Sequence, residues 1–376
     1  MKLCIFPNDP LQAYYEKGEI KERYYNPENL FDEIHFITMI EKDIDASKIQ
    51  TVAGKAKITI HSVGKINVKT RNKHFERILN IVREIQPDAI RAFNPLIEGW
   101  VAAKCAKKLE IPFFLSLHTQ YDSNRKILKK TNLKKYLVLK YTEKFIEPYV
   151  LRSADKITCI YKIIEPYVLK HNHKKPEILH NRVDYERFSN AEVLDFLQRP
   201  LILSVGALIP VKNHQCVIQA MKKINASLMI IGSGFLFTKL EELIKKNGLE
   251  NKITIKESIP HNQIQNYYKS ADIFALAYNP EVEGIPMPVM EAMTVGLPIV
   301  IPPSKENFSE GLEGNVVFTK ADSDSFATSI NELLNNKVTY KTFSDKAKIK
   351  ALDFSGKNLE KREAVIYTEL IGAKTK

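Results

Sequence analysis

The chain has 376 residues, of which 44% are hydrophobic and 9% aromatic; this is enough apolar material for two or three domain cores and excludes a disordered chain. Its formal net charge of +12 indicates an anionic partner, such as a nucleotide, an anionic membrane surface or a nucleic acid, although a lysine-rich solvated surface gives the same charge. No apolar run is long enough to cross a bilayer, and the opening segment MKLCIFPNDP is typical of a first strand rather than a signal peptide.

Short, continuously apolar runs alternate along the chain with longer amphipathic runs. The strand-like runs, in chain order, are Lys2–Phe6, Glu33–Thr38, Ala89–Ala92, Phe113–Leu117, Lys156–Ile160, Leu201–Ser204, Leu228–Ile231, Ile253–Lys256, Ile273–Leu276 and Ile299–Ile301. The helical runs between them are Glu76–Ile85, Glu98–Leu109, Ile218–Ile224, Phe237–Asn247 and Gln263–Ser270. Alternation of this kind predicts parallel sheets that are covered on both faces by helices.

A polar break between about residues 181 and 200 separates two such series. We therefore predict an α/β chain with two doubly wound, Rossmann-like domains, at residues 1–182 and 183–353, which face each other across a cleft. The last segment, 354–376, is charged and amphipathic, and we predict that it is helical. Because open parallel sheets bind ligands beyond the carboxyl ends of their strands, functional residues are expected there.

Four scattered cysteines, Cys4, Cys105, Cys159 and Cys216, are typical of reduced core thiols in a cytoplasmic protein. Their spacing indicates neither a disulfide framework nor a zinc site. The glycine fingerprint of nicotinamide dehydrogenases is absent after both candidate first strands, which argues against that class. We expect no bound cofactor.

Three side chains of the predicted first domain follow strand ends, where they would face the cleft. His118 comes directly after Phe113–Leu117, and Arg91 and Asn94 belong to the segment IRAFN at the end of the preceding strand. We predict a functional role for His118, and we expect Arg91 and Asn94 to hold hydroxyls or a phosphate on the acceptor side. A histidine bonded only to local backbone is the alternative for His118.

Residues 125–152 carry many lysines interleaved with leucine, valine and tyrosine. A basic amphipathic helix of this kind is typical of contact with an anionic membrane. An ordinary solvated helix that packs its apolar face inward is the alternative. The sequence leaves both open, and peripheral contact with the inner face of the membrane is one expectation for a cytoplasmic protein.

Two glycines and a lysine lie near predicted strand ends of the second domain. Gly206 ends its first strand, where the backbone can approach a ligand closely, and Gly232 ends the next strand. Lys212 follows Gly206 after a short loop, at a helix start where its ammonium can meet a phosphate. A solvated lysine beside a turn, and a merely flexible glycine turn, are the alternatives.

The stretch EVEGIPMPVMEAMTVGLPIV carries two carboxylates, Glu283 and Glu291, with seven residues between them. Pro288 suits the first turn of a helix, whose free N–H groups, with those of Gly284 and Ile285, form a site for an anion such as phosphate. The carboxylates on either side can accept hydrogen bonds from hydroxyls. A nucleotide sugar, with a diphosphate between a sugar and a ribose, matches this pattern; acidic residues and prolines at an ordinary helix start are the alternative.

Together these motifs resemble glycosyltransferase family 4, whose members are retaining enzymes of the GT-B fold. The paired carboxylates match the family's E-x7-E motif in its EGIP and EAM form. Other segments similar to family patterns are VGAL with KNH, IGSG, HNRVD and PHNQIQNYYKSADIFALA. The resemblance covers the second domain almost throughout, and the first mainly around RAFN, His118 and residues 153–156.

The resemblance implies a role for each matched position. Glu283 would hold hydroxyls of the transferred sugar, Glu291 would hold the ribose, and His118 would contact the donor sugar near the reacting centre. The other donor contacts that it implies are Lys212, Gly284, Ile285 and Met287 for the diphosphate and Ile259 for the base. Gly206 and Gly232 complete the predicted donor site, and the final helix would cross back onto the first domain.

The expected activity is that of a metal-independent, hexosyltransferase-type enzyme. It would move a sugar from a nucleoside-diphosphate sugar, of the UDP-sugar class, to a hydroxyl of a glycan or lipid-linked acceptor, with retention of configuration. A nucleotide-sugar epimerase and a non-catalytic nucleotide-sugar-binding scaffold are the alternatives, and no nucleic-acid motif accompanies the positive charge. The chain departs from the family pattern at Ala207, where an arginine is usual beside Lys212, at Arg182 and at Asn8-Asp9.

Overall fold

The structure is a computed structural model that describes residues 1–16, 18, 20–172, 174–195, 197–260, 262–305 and 308–373. Phe196, His261 and residues 374–376, which belong to segments discussed above, lie outside the described residues. The chain divides into two compact units, the first comprising Met1–His180 and Glu360–Lys376, and the second Asn181–Leu359.

The first unit is built on a seven-stranded parallel sheet. Its strands are β1 (Lys2–Phe6), β2 (Glu33–Thr38), β3 (Lys57–Ser62), β4 (Ala89–Ala92), β5 (Phe113–Leu117), β6 (Lys156–Cys159) and β7 (Glu177–Ile178). They lie in the order β3-β2-β1-β4-β5-β6-β7. The helices before residue 180 are α1 (Leu11–Glu16), α2 (Arg71–Ile85), α3 (Ile97–Leu109), α4 (Tyr121–Thr131), α5 (Leu133–Phe145), α6 (Glu147–Ser153) and α7 (Glu165–Leu169).

The second unit has a six-stranded parallel sheet. Its strands are β8 (Leu201–Val205), β9 (Ser227–Ile231), β10 (Ile253–Lys256), β11 (Ile273–Ala275), β12 (Ile299–Ile301) and β13 (Val317–Phe318), in the order β10-β9-β8-β11-β12-β13. The helices that follow are α8 (Tyr185–Ser189), α9 (His214–Ala220), α10 (Phe237–Lys246), α11 (Ile264–Ser270), α12 (Met287–Val295), α13 (Ser323–Asn335), α14 (Lys337–Ala351) and α15 (Gly356–Gly372).

The predicted pair of doubly wound parallel sheets is confirmed. Central strands such as β5 and β8 are buried at every position, which explains their continuous apolar runs. Three strands were not predicted, namely β3, β7 and β13, and all three lie at sheet edges. Strand β3 is only partly buried and the other two have two residues each, so none shows the continuous apolar signal.

The prediction of one basic amphipathic helix over residues 125–152 is wrong, because the segment forms parts of three helices. The side chain of Asn132 accepts a hydrogen bond from the N–H of Lys135 and so starts a new helix, α5. Arg125 is buried rather than solvated, and its Nη1 lies 2.9 Å from both carboxylate oxygens of Glu147.

Helix α12 ends at a glycine in the left-handed conformation. Gly296 has a φ of 79°, and the N–H of the next residue, Leu297, bonds to the carbonyl of Ala292 at 3.1 Å. The four cysteines, all within the described residues, are buried and form no disulfide with one another. Among the described helices, none is long and apolar enough to span a bilayer.

Candidate functional site

The strand order of the second sheet reverses between the neighbouring strands β8 and β11. In open parallel sheets, ligands bind beyond the carboxyl ends of the strands at such a point. The loop after β8 carries Gly206 and Lys212, and the loop after β11 carries Glu283. The N–H of Asn279 bonds to the carbonyl of Val211 at 2.8 Å, which ties the two loops together.

The structure brings two of the predicted site residues into direct contact. The Lys212 ammonium lies 2.7 and 2.6 Å from the two carboxylate oxygens of Glu283. The side chains are 11% and 25% exposed, so this pair is mostly shielded from water. A Cβ on Gly206 would lie 3.2 Å from Cδ of Lys212, so glycine leaves room for the lysine stem to cross the loop.

Backbone donors follow Glu283 directly. Helix α12 starts at Met287 after an extended Pro286, with a second proline in its first turn. Within the described chain, no group accepts a hydrogen bond from the N–H of Gly284, Ile285 or Met287. Together with the positive end of the helix dipole, such N–H groups are chemically suited to an anion next to Glu283, and their predicted contact with a diphosphate remains a prediction.

Glu291 is held by a residue whose role was not predicted from the sequence. The hydroxyl of Tyr268 donates to Glu291 Oε2 at 2.7 Å. Tyr268 is fully buried between the rings of Phe188 and Phe274, at centroid distances of 5.4 and 6.0 Å. Burial, and then the neighbouring carboxylate, raise the pKa of Tyr268 well above its usual value, so the phenol remains a donor. The sequence does not reveal this role, because an aromatic residue at an apolar position of a helix usually belongs to the hydrophobic core.

Two glycines let the loops after β8 and β9 touch. A Cβ on Gly232 would lie 2.0 Å from the carbonyl oxygen of Gly206, and one on Gly234 would lie 2.5 Å from that of Leu208. The N–H of Leu208 bonds to the carbonyl of Ser233 at 2.8 Å. The glycines of the IGSG turn are therefore required by packing between loops, whether or not Gly232 also contacts a ligand.

A second residue that the sequence did not single out supports the same loop. His214 is 2% exposed; its Nδ1 lies 3.1 Å from Ser204 Oγ and its Nε2 3.2 Å from the Gly206 carbonyl oxygen. Burial lowers the pKa of His214 to about 4, so the ring is neutral and donates to one of these oxygens. Ile259 lies in the loop after β10, half-buried, at the same edge of the sheet.

Comparison with known proteins assigns both halves of the chain to glycosyltransferases. The Glycosyltransferase Family 4 model matches residues 50–187, and the Glycosyl transferases group 1 model matches residues 186–350. An uncharacterized glycosyltransferase of Methanocaldococcus jannaschii is 26% identical over 77% of this chain and 78% of its own length. A Campylobacter jejuni N-acetylgalactosaminyltransferase named for N-acetylgalactosamine-N,N'-diacetylbacillosaminyl-diphospho-undecaprenol is 29% identical over 52% of this chain and 53% of its own.

Solved structures agree on the fold. The Anabaena protein Alr3699/HepE, crystallised in complex with UDP, matches with a TM-score of 0.74 at 15% identity, over 98% of this chain and 100% of that one. The chain is a GT-B glycosyltransferase. Glu283, Glu291 and Lys212 of this glycosyltransferase all lie in the region matched by the group 1 model.

In the first unit of the glycosyltransferase, Arg91 does not stand open to a ligand as expected. It is 4% exposed, its Nε and Nη2 lie 3.2 and 3.0 Å from Ser116 Oγ, and its Nη1 contacts Glu363 and Tyr367 of α15. These contacts occupy the guanidinium. The guanidinium thus anchors the last helix, and the acceptor-side role expected of Arg91 remains a prediction.

Asn94 and His118 of the glycosyltransferase are also held locally. Asn94 is 1% exposed, donates to Asn8 Oδ1 at 3.1 Å and accepts from the N–H of Leu96 at 2.8 Å. The His118 ring stands edge-on to Phe93 at 5.4 Å. Burial, and then the charge of Arg91, lower the pKa of His118 to about 4, so the imidazole is neutral at physiological pH. Its predicted contact with a donor sugar remains a prediction.

A cavity of about 520 Å³ lies near the carboxyl ends of β1 and β2 in the glycosyltransferase's first unit. Its lining combines an exposed aromatic ring with charged groups, among them Tyr15, Glu16, Lys42, Asp45 and Lys48. The residues that line this cavity do not include Arg91 or Asn94.

Among the described residues, no group of three histidine, cysteine or acidic side chains is placed to hold a metal ion.

Proposed function

We propose that this glycosyltransferase moves a sugar from a nucleoside-diphosphate sugar, of the UDP-sugar class, to a hydroxyl of a glycan or lipid-linked acceptor, with retention at the anomeric carbon and without a metal. The observation that carries the proposal is the Lys212–Glu283 contact beside the three backbone donors at the start of α12. A cation, a hydroxyl acceptor and an anion-binding helix end meet there, as a sugar joined to a diphosphate requires.

Each group of this cluster suits one part of such a donor. The diphosphate would accept hydrogen bonds from the N–H groups of Gly284, Ile285 and Met287. Its negative charge would also attract the Lys212 ammonium away from Glu283. The released carboxylate would then accept hydrogen bonds from the sugar hydroxyls. Glu291, held by Tyr268, would accept from the ribose.

The reaction breaks the bond between the anomeric carbon and the β-phosphate oxygen. The new bond joins that carbon to the acceptor oxygen on the same face, and the acceptor proton passes to the departing phosphate oxygen. Lys212 and the α12 N-terminus stabilise the negative charge that develops on the diphosphate. They take the place of the metal ion that stabilises such charge in other phosphate chemistry. His118, being neutral, would contribute a hydrogen bond rather than a charge.

Two further observations support the donor and acceptor classes. The Anabaena protein of similar fold was solved with UDP, and the Campylobacter relative is named for a diphospho-undecaprenol acceptor. The cavity beside Tyr15 is the recess of the first unit that we assign to the acceptor, because an aromatic ring with carboxylates around it suits a sugar.

Product analysis with UDP-sugars tests the proposal. Wild-type protein should release UDP and form a glycosylated acceptor only when an acceptor is present, with the donor's anomeric configuration preserved by NMR and the rate unchanged by EDTA. Glu283→Ala should abolish transfer while the melting temperature stays near that of the wild type. Conversion of the nucleotide sugar without any acceptor would instead identify an epimerase, and donor binding without turnover would identify a scaffold.

A further inference from the structure

Helix α5 presents an apolar stripe to solvent. Its inward side is defined by Leu139 and Thr142, which are 5% and 2% exposed. Five large apolar side chains on the same helix are exposed: Leu133 by 61%, Leu137 by 59%, Val138 by 50%, Tyr141 by 39% and Phe145 by 55%. They are five of the fourteen large apolar side chains that are exposed in the described chain, which is an unusual concentration for one helix.

The five side chains form one surface rather than scattered points. Leu133, Leu137, Tyr141 and Phe145 are each four residues apart, so at about 100° per residue they run along one side of the helix. At about 1.5 Å per residue the stripe is roughly 18 Å long. The rings of Tyr141 and Phe145 are 4.9 Å apart at one end of it. Leu139 and Thr142 lie on the other side, so the stripe is not a continuation of the core.

Lysines flank this stripe, and few carboxylates lie near enough to neutralise them. Glu143 is the single acidic residue of α5, and its carboxylate lies within reach of Lys140 and Arg125. The Lys144 ammonium lies 5.2 Å from the centroid of the Phe145 ring. Among the described residues, no carboxylate pairs with the other exposed lysines at the end of α4 and along α5, which are Lys129, Lys130, Lys134, Lys135 and Lys144.

We propose that the outer face of α5 docks on an anionic lipid bilayer, with Leu133, Leu137 and Phe145 inserted at the headgroup boundary and the lysines against lipid phosphates. A short helix with leucine and aromatic side chains on one side and lysines beside them suits that interface. A second copy of the chain fits less well, since a two-fold contact through the stripe would set the lysines of one copy against those of the other.

Membrane contact was expected from residues 125–152 as a whole, whereas the proposed docking surface is the outer face of α5 alone. Arg125, which that expectation included, is buried against Glu147 and takes no part. The surface is independent of donor chemistry, so loss of vesicle binding would leave the proposed sugar transfer standing. A membrane-docked protein would meet a lipid-linked acceptor in two dimensions, which raises its effective concentration.

Co-sedimentation of the full chain with vesicles tests the docking. The vesicles contain equal parts phosphatidylglycerol and phosphatidylcholine, or phosphatidylcholine alone, at low salt. Wild-type protein should pellet with the anionic vesicles only. Leu137→Glu/Phe145→Glu should weaken that binding about 10-fold or more, because the stripe then carries two anions. Val338→Glu, on an exposed valine of α14 in the second unit, should bind like the wild type.

A second pair of variants leaves the apolar stripe intact. Lys134→Gln/Lys144→Gln should also weaken anionic-vesicle binding about 10-fold, whereas Lys337→Gln/Lys346→Gln on α14 should not. The proposal is overturned if the wild type does not pellet with anionic vesicles, or if the α5 variants bind as it does. It is equally overturned if the stripe variants abolish a concentration-dependent dimer seen by sedimentation velocity while vesicle binding is unchanged.

Discussion

Neutralising Glu283 should strengthen the binding of UDP while it weakens the use of a UDP-sugar. The carboxylate holds the Lys212 ammonium at 2.6–2.7 Å, so it competes with any diphosphate for that cation. Glu283→Gln removes the competing charge and keeps the shape. Releasing one charge-assisted hydrogen bond is worth about 1.5 kcal/mol at the low end, so UDP should bind about 10-fold more tightly.

The complementary variant, Lys212→Met, should act in the opposite direction on UDP. Loss of a charge-assisted contact to phosphate costs about 1.5–3 kcal/mol, which corresponds to about 10- to 150-fold weaker binding. For a UDP-sugar, both variants should lose turnover. Glu283→Gln should lower kcat by about 100-fold, because a neutral amide accepts hydrogen bonds from the sugar hydroxyls less well than a carboxylate.

Isothermal titration calorimetry with UDP measures these effects in a double-mutant cycle. The cycle comprises the wild type, both single variants and the double variant. The double variant Lys212→Met/Glu283→Gln should bind UDP no better than Lys212→Met alone, since the gain depends on the freed ammonium. The reasoning is refuted if Glu283→Gln weakens UDP binding, or if it strengthens UDP binding equally when Lys212 is absent.

Three further outcomes follow from the second unit. Gly232→Ala should lower the free energy of unfolding in urea by about 1–3 kcal/mol, because its Cβ would lie 2.0 Å from the Gly206 carbonyl oxygen; Gly372→Ala, whose Cβ meets nothing within 4 Å, should have no such effect. Tyr268→Phe should raise the donor KM about 10-fold with little change in kcat, since Glu291 loses its hydroxyl donor, whereas Tyr340→Phe, which loses only a bond to a backbone carbonyl, should leave KM unchanged. The free energy of unfolding should fall as the pH drops from about 6.5 to about 4, because the unfolded chain protonates His214 at its usual pKa while the buried ring, with its pKa lowered to about 4, stays neutral. Urea titrations across that range should show a shallower slope of unfolding free energy against pH for His214→Gln than for the wild type. An unchanged slope would count against the neutral ring.

Central strands and the donor motif were predictable from sequence because their signals are local. A buried strand is a continuous apolar run, and the start of α12 is marked by Gly284 and Pro286 before the helix and by Pro288 in its first turn. Edge strands such as β3 lack this signal because they are only partly buried and do not need a continuous apolar run. The Asn132 cap that separates α4 from α5 was also overlooked, although its signal is local.

Long-range partners were not predictable in the same way. Arg91 follows a strand end, as a ligand residue would, yet its partners Glu363 and Tyr367 come from the last helix of the chain. Lys212 and Glu283 were both predicted to hold a donor, but their direct pairing joins two residues that are 71 positions apart in the chain, which no local pattern reveals. Tyr268 was hidden because its helical spacing is that of an ordinary core aromatic.

Thermal unfolding with a panel of nucleoside-diphosphate sugars is the most direct measurement of donor binding. A ligand at about 100 times its Kd should stabilise the native protein by about 2.7 kcal/mol, so at least one nucleotide sugar should raise the Tm of the wild type clearly. The same ligand concentration should stabilise Lys212→Met by only about 0.3–1.4 kcal/mol, because the variant binds about 10- to 150-fold more weakly, so its Tm should rise clearly less than that of the wild type. No stabilisation by any nucleotide sugar, or equal stabilisation of both proteins, would contradict a donor site built on Lys212 and the start of α12.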